Sequence, residues 1–343
     1  MSVFFIAEAG VNHNGDLARA LDMVDAAAAA GADAIKFQTF TAEKLVSPTA
    51  QKADYQKRET GEGNQFDMLK ALELTEDGHR QLFDRCAERG IEFMSTPFDT
   101  DALDFLIDLG MARLKVPSGE LVNHPFLRKI AAKDRAIILS TGMATMEEIH
   151  EAVAVIAKAR MDHGYADSLT DVLTILHCTS NYPAACGDVN LRAMVTISSE
   201  TGMPIGYSDH TLGMAVSTAA VGMGATVIEK HFTMDRALSG PDHRASLSVN
   251  EMTALIAQIR DVEAALGSSV KAPSDLELPV RAVARRSVCA AKDLAAGHLL
   301  TETDLALLRP ASGIAPKHFE AVQGRLLARD VSAGIPLMWD DFV

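Results

Sequence analysis

The chain has 343 residues, of which 48% are hydrophobic and 23% are charged, a composition typical of globular proteins that excludes a disordered or membrane-embedded chain. Its formal net charge is −14, which excludes nucleic acid and anionic membranes as partners, because both are bound by clustered Lys and Arg. No apolar run reaches the roughly 18 residues of a membrane-spanning helix, and the N-terminus lacks the basic region of a secretory signal, so we expect a cytoplasmic protein.

Short runs rich in Val, Ile and Phe alternate with amphipathic helical stretches as far as Gly267. Alternation of this kind indicates repeated βα units around a parallel sheet. Eight repeats favour an α/β fold of the (β/α)8 TIM-barrel type, with a doubly wound open sheet as the alternative. The predicted strands cover residues 4–9, 34–40, 92–98, 113–118, 136–142, 173–180, 205–210 and 227–233.

The composition of the sequence changes after Gly267. A polar, Pro-containing stretch at 268–280 reads as a linker, and residues 281–343 then contain two copies of the pattern A-x-D-x-x-A-G, with Asp293 matching Asp330. An internal repeat of this length indicates a small β-rich domain with pseudo-symmetry. We therefore predict a barrel over 1–267, a linker over 268–280 and a second domain over 281–343.

Most predicted strands turn polar near their C-terminal ends. In a parallel barrel these ends open on one face, where active sites lie, so the polar residues should converge on one pocket. The strand-end residues are Glu8, Lys36, Gln38, Thr96, Lys115, Ser118, Ser140, His177, Ser208, His210, Glu229 and His231.

Two histidines end neighbouring strands of the predicted barrel. Imidazoles at His210 and His231 could hold one divalent cation while water and substrate complete its shell, which suits polarisation of a carbonyl. Mn2+, Co2+, Mg2+ and Zn2+ fit such a site. The alternative is that each histidine is a hydrogen-bonded pocket residue without a metal.

Charged and hydroxyl side chains at other strand ends suit an anionic substrate. Lys36 and Lys115 stand in apolar strands, where a charge is costly unless it is paired or meets a ligand. Serine hydroxyls at 118, 140 and 208 could help to hold a phosphate and a carboxylate, although structural salt bridges would also explain the lysines. Carboxylates that could bind sugar hydroxyls or move protons are Glu8, Glu120 and Asp242.

The motifs IAEAGVNHNGD, AIKFQTF, FMSTPFD, LKVPSGE, ILSTGMAT, LHCTSNYPA, IGYSDHTLG, IEKHFT and SGPDHRASL resemble the sialic acid synthase family. The C-terminal stretch RRSVCAAKDLAAGHLL resembles the antifreeze-like, or SAF, domain that follows the barrel in that family. The resemblance covers nearly the whole chain. It implies a transferase that joins phosphoenolpyruvate to an N-acylated amino sugar, with C–O cleavage of phosphoenolpyruvate.

The resemblance also implies roles for individual residues. His210 and His231 would be the metal ligands, with Mn2+ favoured and Mg2+ or Co2+ as alternatives, and Glu8 and Lys115 would join them in catalysis. A domain-swapped homodimer is implied, in which Arg309 belongs to the partner's sugar site. The residues implied to bind phosphoenolpyruvate are Lys36, Thr96, Lys115, Ser118, Ser140, Ser180 or Asn181, and Ser208, and those implied to bind sugar are Gln38, Glu120, Tyr182, Asp242 and Arg309.

The amino sugar is open to more than one interpretation. We expect N-acetylmannosamine, giving N-acetylneuraminate, and keep as the alternative 2,4-diacetamido-2,4,6-trideoxymannose, giving N,N'-diacetyllegionaminate. More distant alternatives are a metal-dependent aldolase on the same barrel and a carbohydrate- or ice-binding protein that works through its C-terminal domain.

Overall fold

Residues 2–267 form a parallel (β/α)8 barrel in the computed structural model, which describes residues 2–343. Its strands hydrogen-bond in the order β3-β2-β1-β8-β7-β6-β5-β4, and β3 packs beside β4 to close the ring. Closure confirms the predicted barrel over the open sheet. The strands are β1 Phe4–Gly10, β2 Ala34–Thr39, β3 Glu92–Pro97, β4 Arg113–Val116, β5 Ala136–Ser140, β6 Leu173–Cys178, β7 Ile205–Asp209 and β8 Val227–Thr233.

Most helices of the first unit cover the outer face of the barrel. Their starts carry the expected caps: Asp16 accepts from the backbone of the first turn of α1, and Thr145 and Ser248 form capping boxes at α8 and α12. The helices of the first unit are α1 Leu17–Ala29, α2 Ala42–Leu45, α3 Asp54–Thr60, α4 Gln65–Lys70, α5 Glu76–Arg89, α6 Thr100–Leu109, α7 His124–Ala131, α8 Met146–Asp162, α9 Leu169–Val172, α10 Ala193–Thr201, α11 Ala215–Gly222 and α12 Val249–Leu266; a two-residue strand, β9 Leu247–Ser248, pairs with β8.

The barrel interior is apolar at one end and polar at the other. Side chains of alternate residues point inward along each strand. Six buried inward residues fill the lower interior: Ile6, Ala34, Met94, Ile138, Leu176 and Val227. Two positions further along the same strands stand Glu8, Lys36, Thr96, Ser140, Cys178 and Glu229.

The second unit comprises Ser268–Val343. It contains α13 Glu277–Ala284, which crosses the predicted start of this domain at 281, then β10 Ser287–Ala290 antiparallel to β11 Leu305–Leu308, and α14 Phe319–Val322. The sequence repeat is visible in its contacts, since Asp293 accepts from the backbone of Ala333 and Asp330 accepts from that of Ala296, both at 2.8 Å. No helix within residues 2–343 is long and apolar enough to span a membrane.

Candidate active site

A cavity of about 530 Å³ opens at the C-terminal ends of the barrel strands. Residues from all eight strands or from the turns that follow them line it, which is the position of the active site in barrels of this kind. The predicted residues that line it are Glu8, Lys36, Gln38, Thr96, Lys115, Ser118, Ser140, Ser180, Tyr182, Ser208, His210, Glu229 and His231.

Four buried charged side chains form a network on its floor. The Lys36 ammonium pairs with Glu8 at 2.6 Å and with Glu229 at 3.7 Å. Lys115 lies 3.6 Å from Glu229 and donates to the hydroxyl of Ser140 at 2.7 Å. Each charge therefore has a partner of opposite sign, which burial in a low-dielectric interior requires.

The two carboxyl groups of this network have different proton affinities. Burial raises the pKa of Glu8 to about 7, although Lys36 opposes the rise. Burial acts in the same direction on Glu229, but there Lys115 and Lys36 outweigh it and lower the pKa to about 2. Glu8 can accordingly hold or release a proton near neutral pH while Glu229 stays ionised, a separation typical of acid–base sites.

Hydroxyl groups from two loops meet at Gly142, which belongs to a third. Ser118 accepts a hydrogen bond from the backbone of Gly142 at 2.9 Å and lies 3.2 Å from the Cys178 sulfur. A β-carbon added at Gly142 would lie 2.2 Å from the Ser180 hydroxyl and 2.8 Å from that of Ser118. The absence of a side chain at Gly142 therefore lets the hydroxyls approach one another, which makes a compact set of donors for an anion.

The two histidines meet as predicted, with ring centroids 5.6 Å apart. Nδ1 of His210 donates to the carbonyl oxygen of Thr179 at 2.8 Å, which leaves Nε2 with a free lone pair. Nδ1 of His231 is buried and has no hydrogen-bond partner among residues 2–343. Burial lowers the pKa of both rings, so both are neutral.

Neutral imidazoles with unused nitrogens fit a divalent cation, as the sequence suggested. No cluster of three or more His, Cys, Asp or Glu suited to a metal occurs in the described part of the chain. The protein would thus supply two nitrogen ligands and leave the remaining positions to water and substrate, as a catalytic site requires and a closed structural site does not.

Aromatic side chains line the side of the cavity next to the histidines. The Tyr182 ring lies 4.2 Å from that of His210, and the Tyr55 ring stacks on Tyr182 at 5.3 Å. Tyr55 comes from α3, in the long segment between β2 and β3, and was missed by the sequence reasoning. The unusual length of this segment, residues 40–91, was the available signal.

Five predicted residues are not part of the cavity lining. His177 was expected to reach the pocket, but its Nε2 donates to the carbonyl oxygen of Val189 at 2.7 Å. Asn181 is exposed whereas Ser180 lines the wall, so Ser180 is the one in position for an anion. Glu120 is half-buried and accepts from Asn123 at 2.6 Å. Arg309 is exposed in the second unit, and Asp242 lines a smaller adjoining cavity.

The chain matches two family profiles and is similar to proteins of known name. The profile described as the NeuB family matches residues 23–271, and that of the SAF domain matches residues 285–343. An N,N'-diacetyllegionaminic acid synthase of Legionella pneumophila is 52% identical, over 99% of this chain and 94% of its own length. A Campylobacter jejuni protein with the same name is 43% identical, over 95% of this chain and 96% of its own length.

A solved structure resembles the chain in three dimensions. It is an N-acetylneuraminic acid (sialic acid) synthetase from Leptospira borgpetersenii, crystallised with citrate, with a TM-score of 0.70 and 34% sequence identity. The match covers 82% of this chain and 90% of the other.

Proposed function

Because the chain belongs to the NeuB family, we propose that it condenses phosphoenolpyruvate with 2,4-diacetamido-2,4,6-trideoxymannose to give N,N'-diacetyllegionaminate and phosphate. The coarser assignment, a transferase that acts as a phosphoenolpyruvate-dependent nonulosonate synthase, follows from the family and its relatives. The identity of the acceptor sugar goes beyond the family assignment and is our proposal.

One observation carries the choice of acceptor. The Legionella relative named for legionaminic acid synthesis is 52% identical over almost the whole chain, whereas the structure named for N-acetylneuraminic acid is 34% identical. This difference favours the alternative over N-acetylmannosamine, the acceptor that the sequence analysis preferred.

The arrangement of the cavity supports a binding mode for phosphoenolpyruvate. Lys36 and Lys115, with the hydroxyls of Ser118, Ser140 and Ser180, offer two positive charges and several donors to one phosphate and one carboxylate. Both lysines are held by carboxylates before substrate arrives, so little reorganisation is needed when the anion binds.

In the proposed reaction, carbon C3 of phosphoenolpyruvate attacks the aldehyde carbon of the open-chain sugar. Water adds at C2, and the bond from C2 to the bridging oxygen breaks, so that this oxygen leaves with the phosphate. Glu8 lines the cavity, and burial raises its pKa to about 7, which suits it to position the water and accept its proton. The new alkoxide takes up a proton to become a hydroxyl of the product.

His210 and His231 are the residues that would hold a divalent cation, and we propose Mn2+. Such a cation supplies Lewis-acid polarisation of the sugar aldehyde when it is bound. The protein's own contribution is to keep both rings neutral, through burial, and to orient His210 through its bond to Thr179. The predicted homodimer, cytoplasmic location and sugar contact of Arg309 stay predictions.

The proposed reaction is tested by steady-state kinetics with each candidate sugar, following phosphate release in the presence of Mn2+. We expect kcat/KM for the diacetamido sugar to exceed that for N-acetylmannosamine, and no phosphate without a sugar. A preference for N-acetylmannosamine would contradict the acceptor. Phosphoenolpyruvate labelled with 18O at the bridging oxygen tests which bond breaks. If the label were recovered in the nine-carbon product and not in phosphate, C–O cleavage would be contradicted.

A further inference from the structure

A second cavity, of about 120 Å³, adjoins the large one. Four side chains line both cavities, so the two spaces lie next to each other: Gln38, Tyr55, Tyr182 and His231. A substituent of a substrate held near the histidines would pass these four side chains to enter the smaller space.

Part of the lining of this cavity is apolar. Val11 and Leu72 are buried, and Met68 and Leu69 of α4 pack with them in one apolar cluster. Water makes no hydrogen bonds to such a wall, whereas a methyl group is stabilised by about 0.8 kcal/mol when it leaves water. The wall therefore favours a substituent that ends in carbon.

The lining of the same cavity also includes two polar groups without hydrogen-bond partners in the described part of the chain. The Asp242 carboxyl is buried, with 8% of the residue exposed, and neither it nor the Gln38 amide bonds to another side chain or to backbone among residues 2–343. Leaving such groups unpaired is costly unless a ligand or water satisfies them. Together they offer an acceptor for an N–H group and a donor for a carbonyl oxygen.

We propose that this cavity binds the acetamido group at C4 of the sugar, a specificity determinant that rests on the proposed function. The N–H would donate to Asp242, the carbonyl oxygen would accept from Gln38, and the methyl would pack on the Met68 side. Liquid water occupies about 30 Å³ per molecule, so about 120 Å³ is the space of about four water molecules, which is large enough for an acetamido group. A hydroxyl at C4, as in N-acetylmannosamine, would leave the carbon wall in contact with water.

The proposal is tested by substitutions on α4 that enlarge a side chain lining the small cavity. Met68→Phe enlarges a half-buried side chain that lines the small cavity and not the large one. Leu69→Phe makes a similar change one residue away, in case one variant folds poorly. Met161→Phe is the matched control, since Met161 is 69% exposed on α8. Thermal unfolding is measured for each variant, and kcat/KM is measured with the diacetamido sugar and with N-acetylmannosamine.

We expect Met68→Phe or Leu69→Phe to lower kcat/KM for the diacetamido sugar at least tenfold, with less than a twofold change for N-acetylmannosamine and in the KM of phosphoenolpyruvate. Met161→Phe should change none of these. If Met68→Phe or Leu69→Phe folds and loses activity equally with both sugars, or loses no activity with either sugar, the assignment of this cavity is wrong while the proposed function stands. A wild-type enzyme that uses N-acetylmannosamine alone would overturn both.

Discussion

Asp242→Asn should make the protein more stable at neutral pH and much less active. Burial raises the pKa of Asp242 from 3.8 to about 6, so the ionised carboxylate is less favourable in the folded protein than in the unfolded chain. A group of this kind stabilises the fold when protonated, below about pH 4, and this stabilisation is lost as the pH rises through 6. Asparagine cannot ionise and so avoids the loss.

The size of the effect follows from the two pKa values. Their difference, from 3.8 to about 6, corresponds to about 3 kcal/mol of unfolding free energy at pH 7.5, and about half of it remains at pH 5. For a chain of this length, 1 kcal/mol moves the unfolding temperature by about 2 °C, so the variant should melt about 6 °C higher at pH 7.5. Its kcat/KM for the sugar should fall ~10- to 100-fold, because a charge-assisted hydrogen bond is lost.

The assay is thermal unfolding of both proteins without ligands at pH 5 and pH 7.5. Asp22→Asn, at an exposed position on α1, is the control and should change the unfolding free energy by less than ~0.5 kcal/mol. An Asp242→Asn protein that is less stable than wild type at both pH values would refute the reasoning, because Asp242 would then have a stabilising partner.

Three further perturbations address other parts of the site. Gly142→Ala should raise the KM of phosphoenolpyruvate at least ~10-fold, because the new methyl overlaps the serine hydroxyls. Gly187→Ala is the control and should leave this KM unchanged, because a β-carbon there meets nothing within 4 Å. An equal KM of phosphoenolpyruvate in the two variants would contradict the role of these hydroxyls. Glu229→Gln should lower kcat/KM by ~100-fold or more by leaving two buried lysines without their shared carboxylate, and near-wild-type kinetics would contradict it. His210→Ala and His231→Ala should each reduce the Mn2+ bound per chain after dialysis, measured by elemental analysis; full retention by both would exclude this pair as the metal site.

The barrel could be predicted because its signal is local and repeated. Most strands carry an apolar run that turns polar towards the C-terminal end. The structure places the strand starts where the sequence indicated them; six strands end one or two residues earlier than predicted, β8 ends as predicted and β1 ends one residue later. The alternation of inward and outward residues then determines which strand-end side chains meet. The meeting of Lys36 with Glu8 follows from the parallel register of β1 and β2.

Contacts across the barrel and in its loops could not be predicted in this way. Glu229 was visible as a polar strand-end residue, but its pairing with Lys115 joins β8 to β4 across the interior and depends on the size of the closed barrel. Tyr55 and Met68 lie on helices of seven and six residues, too short for a periodic pattern. Whether Ser180 or Asn181 enters the cavity depends on the turn after β6, which no residue pattern specifies.

The most direct test of the account is a competition experiment. The enzyme, loaded with Mn2+, receives phosphoenolpyruvate and equal concentrations of the diacetamido sugar and N-acetylmannosamine, and the products are identified by mass spectrometry at low conversion. We expect N,N'-diacetyllegionaminate to be the main nine-carbon product and the amount of phosphate to equal the total amount of nine-carbon keto acid. Dominant N-acetylneuraminate would contradict the proposed acceptor, and the absence of any nine-carbon keto acid would contradict the proposed reaction.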